Sequence, residues 1–521
     1  MRDKYNKKSI ENLFEMLVIG IGILILGFLS YYSLRFTTYF GMEYQRIPHF
    51  SADSLVKNLL LILAVTAVGG GLTAVLAKIK RQKLLQSLLL GTAVLFILAF
   101  EFWWIKISQT VPGADQRYVW VGAQEFMQGN YRYMEEGKYF QFYPHQLTFV
   151  MFCQMFIKLF GTTEFLMFKY FNAICSVVAI LTLWKIFCEF SKKAEERIGF
   201  IIAAACIFPL FLYVTFIYSE IVSLTFMLLA FYFVLKYTKT DRWYFGILCF
   251  MFMSLAVMCR KNMLIAVIAL VLFLIMKFVS KKRSAYLILA LLVMISSLSM
   301  GKIAVSYYEN QSGRQFGDGV PSISFIGMGM QEGVLAEGWF NKFTEECYRE
   351  SGYDAKIASE ITMDAIRERI EIFKNDPAYC FKFYKNKILK QWNEPTYGGF
   401  INNSYHDERG LPEAANSMYY GELHSFFVSF CNTYQLMIFL GTLLFLIVFM
   451  RYNKGIEQLL LFVVFLGGFF FHILWEGDSR YAMPYFVLLI PYGVWGMSLV
   501  WEKAKEVVLN RIFVTRRNEI V

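Results

Sequence analysis

The chain has 521 residues, of which 57% are hydrophobic, 18% aromatic and only 17% charged, well below the quarter or so expected of a soluble domain. This composition excludes an ordinary soluble enzyme and implies a polytopic membrane protein. The formal charge of +11 does not point to nucleic acid, because the basic residues fall in short clusters between apolar runs, as the positive-inside rule requires.

The first apolar run starts near Leu13, behind MRDKYNKK. It is too long for a signal h-region and lacks a small-residue cleavage site, so it is expected to be a retained first span. Spans of roughly 20 residues are expected at 13–34, 56–77 and 84–104. Arg2, Lys4, Lys7 and Lys8 precede the first, and Lys78, Lys80, Arg81 and Lys83 separate the second from the third. Both clusters belong in the cytoplasm, which places the polar, aromatic-rich stretch after Trp104 outside. That stretch holds Asp115 behind Pro112-Gly113, a helix-like stripe of Tyr118, Val119, Gly122, Phe126 and Met127, a Gly129-Asn130 stop, and an aromatic exit through Tyr139, Tyr143, Pro144 and His145.

Residues 146–160, QLTFVMFCQMFIKLF, form a run too short for an independent crossing, so a re-entrant or interfacial helix is expected there. Further spans are expected at 164–189, 198–217, 220–236, 243–258, 262–279 and 284–304. Basic clusters at Lys192-Lys193-Arg197, Lys236-Lys239-Arg242 and Lys281-Lys282-Arg283 alternate with Tyr218-Ser219-Glu220 and Arg260-Lys261-Asn262. The former are expected inside, the latter outside.

Residues 305–424 are polar and long enough for an external segment. Within it, Ile357, Ile361, Ala365, Ile370 and Phe373 suggest the apolar face of a helix stopped by Asn375-Asp376-Pro377. The following FKFYKNKILKQW is expected to lie on the membrane surface with Lys385, Lys387 and Lys390 at lipid headgroups. Spans at 425–450, 456–475 and 481–502 complete about twelve crossings. Arg451, Lys454 and the basic tail Lys503–Arg517 are expected inside, and Glu476–Arg480 outside. The chain thus divides into an N-terminal transmembrane module (1–304) that includes an external loop at 105–145, an external segment (305–424) and a C-terminal transmembrane module (425–521). Both termini are expected in the cytoplasm of a multi-pass cell-membrane protein.

Nine cysteines are scattered without metal-ligand spacing; Cys347 and Cys380 are the pair that could meet outside. His145, His406 and His472 stand apart from other ligand types. Asp115, Glu220, Arg260, Lys261 and the turn from Glu476 to Arg480 all fall on one predicted face. Each has a second reading: Asp115 or Glu220 as a helix cap, Arg260 and Lys261 as interfacial anchors, and Arg480 as a local partner of Glu476 or Asp478.

The pattern ADQRY, GNY, KYFQFYP and KLFG, with IYSE at one span and WEGDSRYAMPYFVLLIPY at the last, resembles the GT-C superfamily of integral-membrane glycosyltransferases. These include lipid A aminoarabinose transferases and protein O-mannosyltransferases, and the external segment is most similar to Gram-positive bacterial members. The resemblance implies an all-α bundle of about twelve transmembrane helices with an external, mainly helical segment. It implies transfer of a sugar from a polyprenyl-phosphate donor to a cell-envelope glycan or lipid acceptor on the outer face, with membrane lipid and no nucleic acid as partners.

By the resemblance, Asp115 holds the place of the acid that activates the acceptor. The neighbouring acid of the motif is Gln116 here, which leaves divalent-metal dependence open; no other cofactor is implied. The aromatic exit lacks the basic residue that aminoarabinose transferases use for the donor phosphate, so Arg260, Lys261 and Arg480 are its candidates. Gln116, Tyr118, Tyr139, Tyr143, His145, Glu220, Glu476 and Tyr481 are the candidates for binding substrate. A polysaccharide polymerase or ligase, and a transporter or flippase of lipid-linked glycan, are the rival readings; the latter is expected to contain paired broken spans.

Overall fold

The computed structural model describes residues 2–41, 47–315, 317–333, 336–406, 410–450 and 455–518, with side chains described from 11 to 507 within that set. The side chains of the first basic cluster, Arg451 with Lys454, and the far part of the basic tail lie outside the described residues. Among the described residues, eleven helices are long and apolar enough to cross a membrane. They are joined by a shorter apolar helix, Trp243–Cys259, of 17 residues, which at ~1.5 Å per residue reaches about 25 Å. The helical bundle is therefore as expected, with the short helix as the twelfth apolar element.

Between the first two spans, Phe36–Phe40 and Pro48–Ala52 pair as an antiparallel hairpin, which the all-helical expectation misses. Aromatic and β-branched residues crowd FTTYF, a composition that suits a strand. Thr37 Oγ1 donates to Asp53 across 2.7 Å and ties the hairpin to the next span.

The helix Leu147–Phe160 is a 14-residue element, short of the length of a crossing. It packs against Ala114–Met127: Gln154 Nε2 donates to Ala123 O at 3.2 Å, and Tyr308 OH donates to Gln154 Oε1 at 2.9 Å. The expected span at 198–217 is broken. Ala194–Ala204 is followed by a separate turn, Phe208–Leu212, with Pro209 near its start, where the missing N–H cannot continue the ladder. Freed carbonyls in a bilayer need protein partners. Trp104 Nε1 donates to Leu212 O at 3.1 Å, and Asn172 Nδ2 to Val214 O at 3.2 Å and Phe216 O at 3.0 Å.

The spans Glu422–Phe449 and Met483–Val507 touch backbone to backbone. A Cβ on Gly496 would lie 1.7 Å from Gly441 O, so only glycine permits this approach.

The external segment corrects two expectations. In the helix Ala355–Asn375 the buried face is Ala358, Thr362, Ile366 and Phe373, while Ile357 and Ile370 are exposed. In Pro377–Trp392, Lys387 and Lys390 are not at lipid headgroups but fully buried. Lys387 Nζ donates to Gly329 O at 2.5 Å and Trp475 O at 2.7 Å, and Lys390 Nζ donates to Glu337 O. Backbone carbonyls replace water around both ammonium groups. Cys347 and Cys380 are both free thiols.

The loops bearing Asp115, Ser219, Arg260, Glu345 and Glu476 meet at one end of the bundle. The basic connections meet at the other: Lys505 pairs with Glu195 at 2.9 Å, Lys239 with Glu189 at 2.7 Å and Arg283 with Asp241 at 2.8 Å.

Candidate active site

A cavity of about 400 Å³ lies where these loops meet. Its first wall is the helix Ala114–Met127, whose N-cap is Gly113. The capping reading of Asp115 is thereby overturned; Asp115 occupies the first turn and lines the cavity. The turn is shaped from the external segment. A Cβ on Gly113 would sit 2.3 Å from the Tyr405 ring, Val111 N donates to Tyr405 O at 2.9 Å, and Ala114 takes a positive φ of 46°. A non-glycine residue holds that conformation only when its surroundings enforce it.

Tyr118, Tyr139 and Tyr143 form a row beside Asp115. The rings of Tyr118 and Tyr139 stack with centroids 4.5 Å apart, and Tyr143 follows at 5.2 Å. Tyr143 OH donates to Glu345 Oε1 at 3.0 Å. Burial, then the Asp115 carboxylate, holds the Tyr139 hydroxyl well above its usual range, and burial followed by Glu345 does the same for Tyr143. His145 faces the cavity beside Tyr143 and Phe325. Burial, with Lys261 nearby, pushes its imidazole down to about 3, so it stays neutral.

A second part of the lining carries the cations. Arg260 Nη1 lies 2.6 Å from Glu220 Oε1 and 3.3 Å from Ser219 Oγ. Arg480 Nε lies 3.6 Å from the same Glu220 oxygen and 3.4 Å from Asp478 Oδ2. Glu220 is 1% exposed and its helix is capped by Ser219. It is therefore a buried counter-ion beneath two arginines, neither a helix cap nor a cavity-lining residue. Arg260 is 9% exposed and paired, which overturns the interfacial-anchor reading for it. Lys261 is exposed, lines the cavity, and has no ion pair among the described residues.

Tyr481 completes this part of the lining. It accepts from Arg480 Nη2 at 3.1 Å, donates to Glu476 Oε2 at 2.9 Å, and has Arg260 over its ring at 5.3 Å. Glu476 opens into the cavity but is packed within protein; burial, then Asp478, pushes its carboxyl up to about 7. The local pairing expected of Arg480 is thus with Asp478, while Glu476 is reached through Tyr481.

The structure gathers Asp115, Tyr118, Tyr139, Tyr143, His145, Arg260, Lys261, Glu476, Arg480 and Tyr481 around one space. Gln116 stands apart: it is buried, and its Oε1 accepts from Ile217 N at 2.7 Å, tying the Asp115 helix to the loop before Glu220. Glu345 and Asp478 also line the cavity. Asp478 sat within a motif already singled out, whereas FTEECYRE, which carries Glu345, looks like any solvated helix. Among the described residues, no three His, Cys, Asp or Glu side chains gather as a metal-ion site.

No curated protein matches the sequence of the chain. Among solved structures, the chain is similar to the Archaeoglobus fulgidus oligosaccharyltransferase tethered with an acceptor peptide containing the NVT sequon, at 14% identity and a TM-score of 0.40. The match covers 80% of this chain and 50% of that one, so the chain spans half the length of that enzyme. Residues 145–300, which include Glu220, Arg260 and Lys261 but not Asp115, match the family described as dolichyl-phosphate-mannose-protein mannosyltransferase. Over that stretch the chain is similar to that mannosyltransferase family.

Proposed function

We propose that the protein transfers a sugar from a polyprenyl-phosphate carrier to an acceptor hydroxyl at the outer face of a cell membrane. The observation that carries this reading is one cavity lined by Asp115 together with Arg260, Lys261 and Arg480. Outside a cell there are no nucleotide sugars, so the donor must arrive on a lipid, and its phosphate needs cations. Arg260 and Arg480 are tethered by Glu220, which holds their guanidinium groups in place. Lys261 supplies positive charge with no ion pair among the described residues.

Asp115 withdraws the proton of the acceptor hydroxyl as that oxygen attacks the anomeric carbon. The new bond is carbon to acceptor oxygen; the bond that breaks is carbon to phosphate oxygen. The electron pair leaves with the polyprenyl phosphate, whose developing charge the cationic wall stabilises. One displacement with no covalent nucleophile inverts the anomeric configuration. The family match over residues 145–300 supports the glycosyltransferase class.

The test is release of polyprenyl phosphate from a short-chain polyprenyl-phosphate hexose by purified protein. Asp115→Asn abolishes release and preserves donor binding; full activity in that variant overturns the base assignment.

A further inference from the structure

Part of the cavity lining, around Asp115 and Glu345, is aromatic and acidic. There Tyr118, Tyr139 and Tyr143 form a row, with Asp115 beside Tyr139 and Glu345 bonded to Tyr143. Tyr118 is 40% exposed. Glu345 comes from the external segment, in the helix Phe343–Glu350. Its Oε1 accepts from Tyr143 OH at 3.0 Å and its Oε2 lies 3.7 Å from the exposed Arg349.

Aromatic rings offer an apolar face to the C–H side of a pyranose, while carboxylates and phenol oxygens accept from its hydroxyls. The two carboxylates repel an anionic polymer, and each lone pair they hold toward the cavity seeks a donor. We propose that the acceptor is a neutral glycan, whose sugar lies along the tyrosine row and whose hydroxyl is oriented for Asp115 by Glu345. This rests on the glycosyltransferase reading and assigns Glu345 as a residue that selects the acceptor. Donor selection belongs to the cationic part of the lining, so the two substrates answer to different residues.

The experiment measures polyprenyl-phosphate release from a polyprenyl-phosphate hexose with water alone, with methyl hexopyranosides, with a Ser/Thr peptide, and with a glycerol-phosphate oligomer. The expected result is acceleration of at least about 10-fold over water by one or more methyl hexopyranosides and by neither other class. Glu345→Gln, which keeps size and removes charge, raises the acceptor KM about 10-fold, a loss of one decade of affinity, and leaves the donor KM unchanged. Tyr143→Phe, which removes the hydroxyl but keeps the ring, has a smaller effect in the same direction. Acceleration by the peptide or the glycerol phosphate, acceleration by none of the three, or an unchanged acceptor KM in both variants overturns the proposal. Absence of release in every arm, water included, overturns the glycosyltransferase reading beneath it.

Discussion

Arg260 Nη1 and Glu220 Oε1 are 2.6 Å apart, in a contact that joins the start of one span to the end of another. Arg480 approaches the same carboxylate oxygen from the last third of the chain. One buried anion thus holds two cations at the cavity, the ones proposed to meet the donor phosphate. Glu220→Ala leaves both guanidinium groups without that counter-ion, and breaking a buried pair in this way costs about 3–5 kcal/mol. Denaturation in detergent is expected to show this loss, and the double variant Glu220→Gln with Arg260→Met to recover part of it.

Lys261 differs from its neighbour because its side chain lines the cavity without an ion pair among the described residues. Lys261→Met is expected to raise the donor KM about 10-fold, equivalent to about 1.4 kcal/mol, while the unfolding midpoint stays where it was. Steady-state kinetics with a short-chain donor read this directly.

Glu476 carries a pH dependence. Its carboxyl is raised to about 7 in the folded protein, against an ordinary value near 4.3 in the unfolded chain. Between those values the folded state binds the proton that the unfolded state has lost, so this group makes stability fall as pH rises, until it is ionised in both states above about 7. Subtracting the unfolding profile of Glu476→Gln from that of the wild type isolates the effect. A difference that is flat from pH 4 to 8 contradicts the assignment.

Lys387 anchors the segment that carries Glu476, donating to Trp475 O and Gly329 O. Lys387→Met preserves length and removes both donors, leaving buried carbonyls unpaired at about 1–3 kcal/mol each. The expected outcome is lower stability together with a raised donor KM, because Arg480 and Tyr481 lie just beyond that segment. Enzyme kinetics and thermal unfolding of the same preparation test both parts.

Gly496→Ala is expected to separate two spans that touch at Gly441. With a Cβ 1.7 Å from the facing carbonyl, the helices must shift, at a cost of about 1–3 kcal/mol.

The spans were legible because each is a long apolar run bounded by charge, and the loops that meet at the cavity could be sorted by the alternation of lysine clusters. Asp115, Arg260 and Arg480 were therefore found on one face before any contact was known. Burial was not legible. Lys387 and Lys390 carry the pattern of surface lysines, and only the carbonyls of Gly329, Glu337 and Trp475, remote in sequence, explain their place inside. Glu345 and the role of Gln116 depend on similar long-range pairings, with Tyr143 and with Ile217 N. The broken span at Pro209 was readable from the proline; its stabilisation by Trp104 and Asn172 was not.

The pairing of Glu220 with two later stretches of the chain also sets an order of assembly. Residues 114–145 leave the ribosome before Glu220 and Arg260, and the turn carrying Arg480 emerges long after all of them. Until that turn arrives, Glu220 lacks one of its two cations and the cavity lacks a wall. A chain that has not yet made that turn thus holds Asp115 beside an incomplete cavity, with Glu220 paired to Arg260 alone.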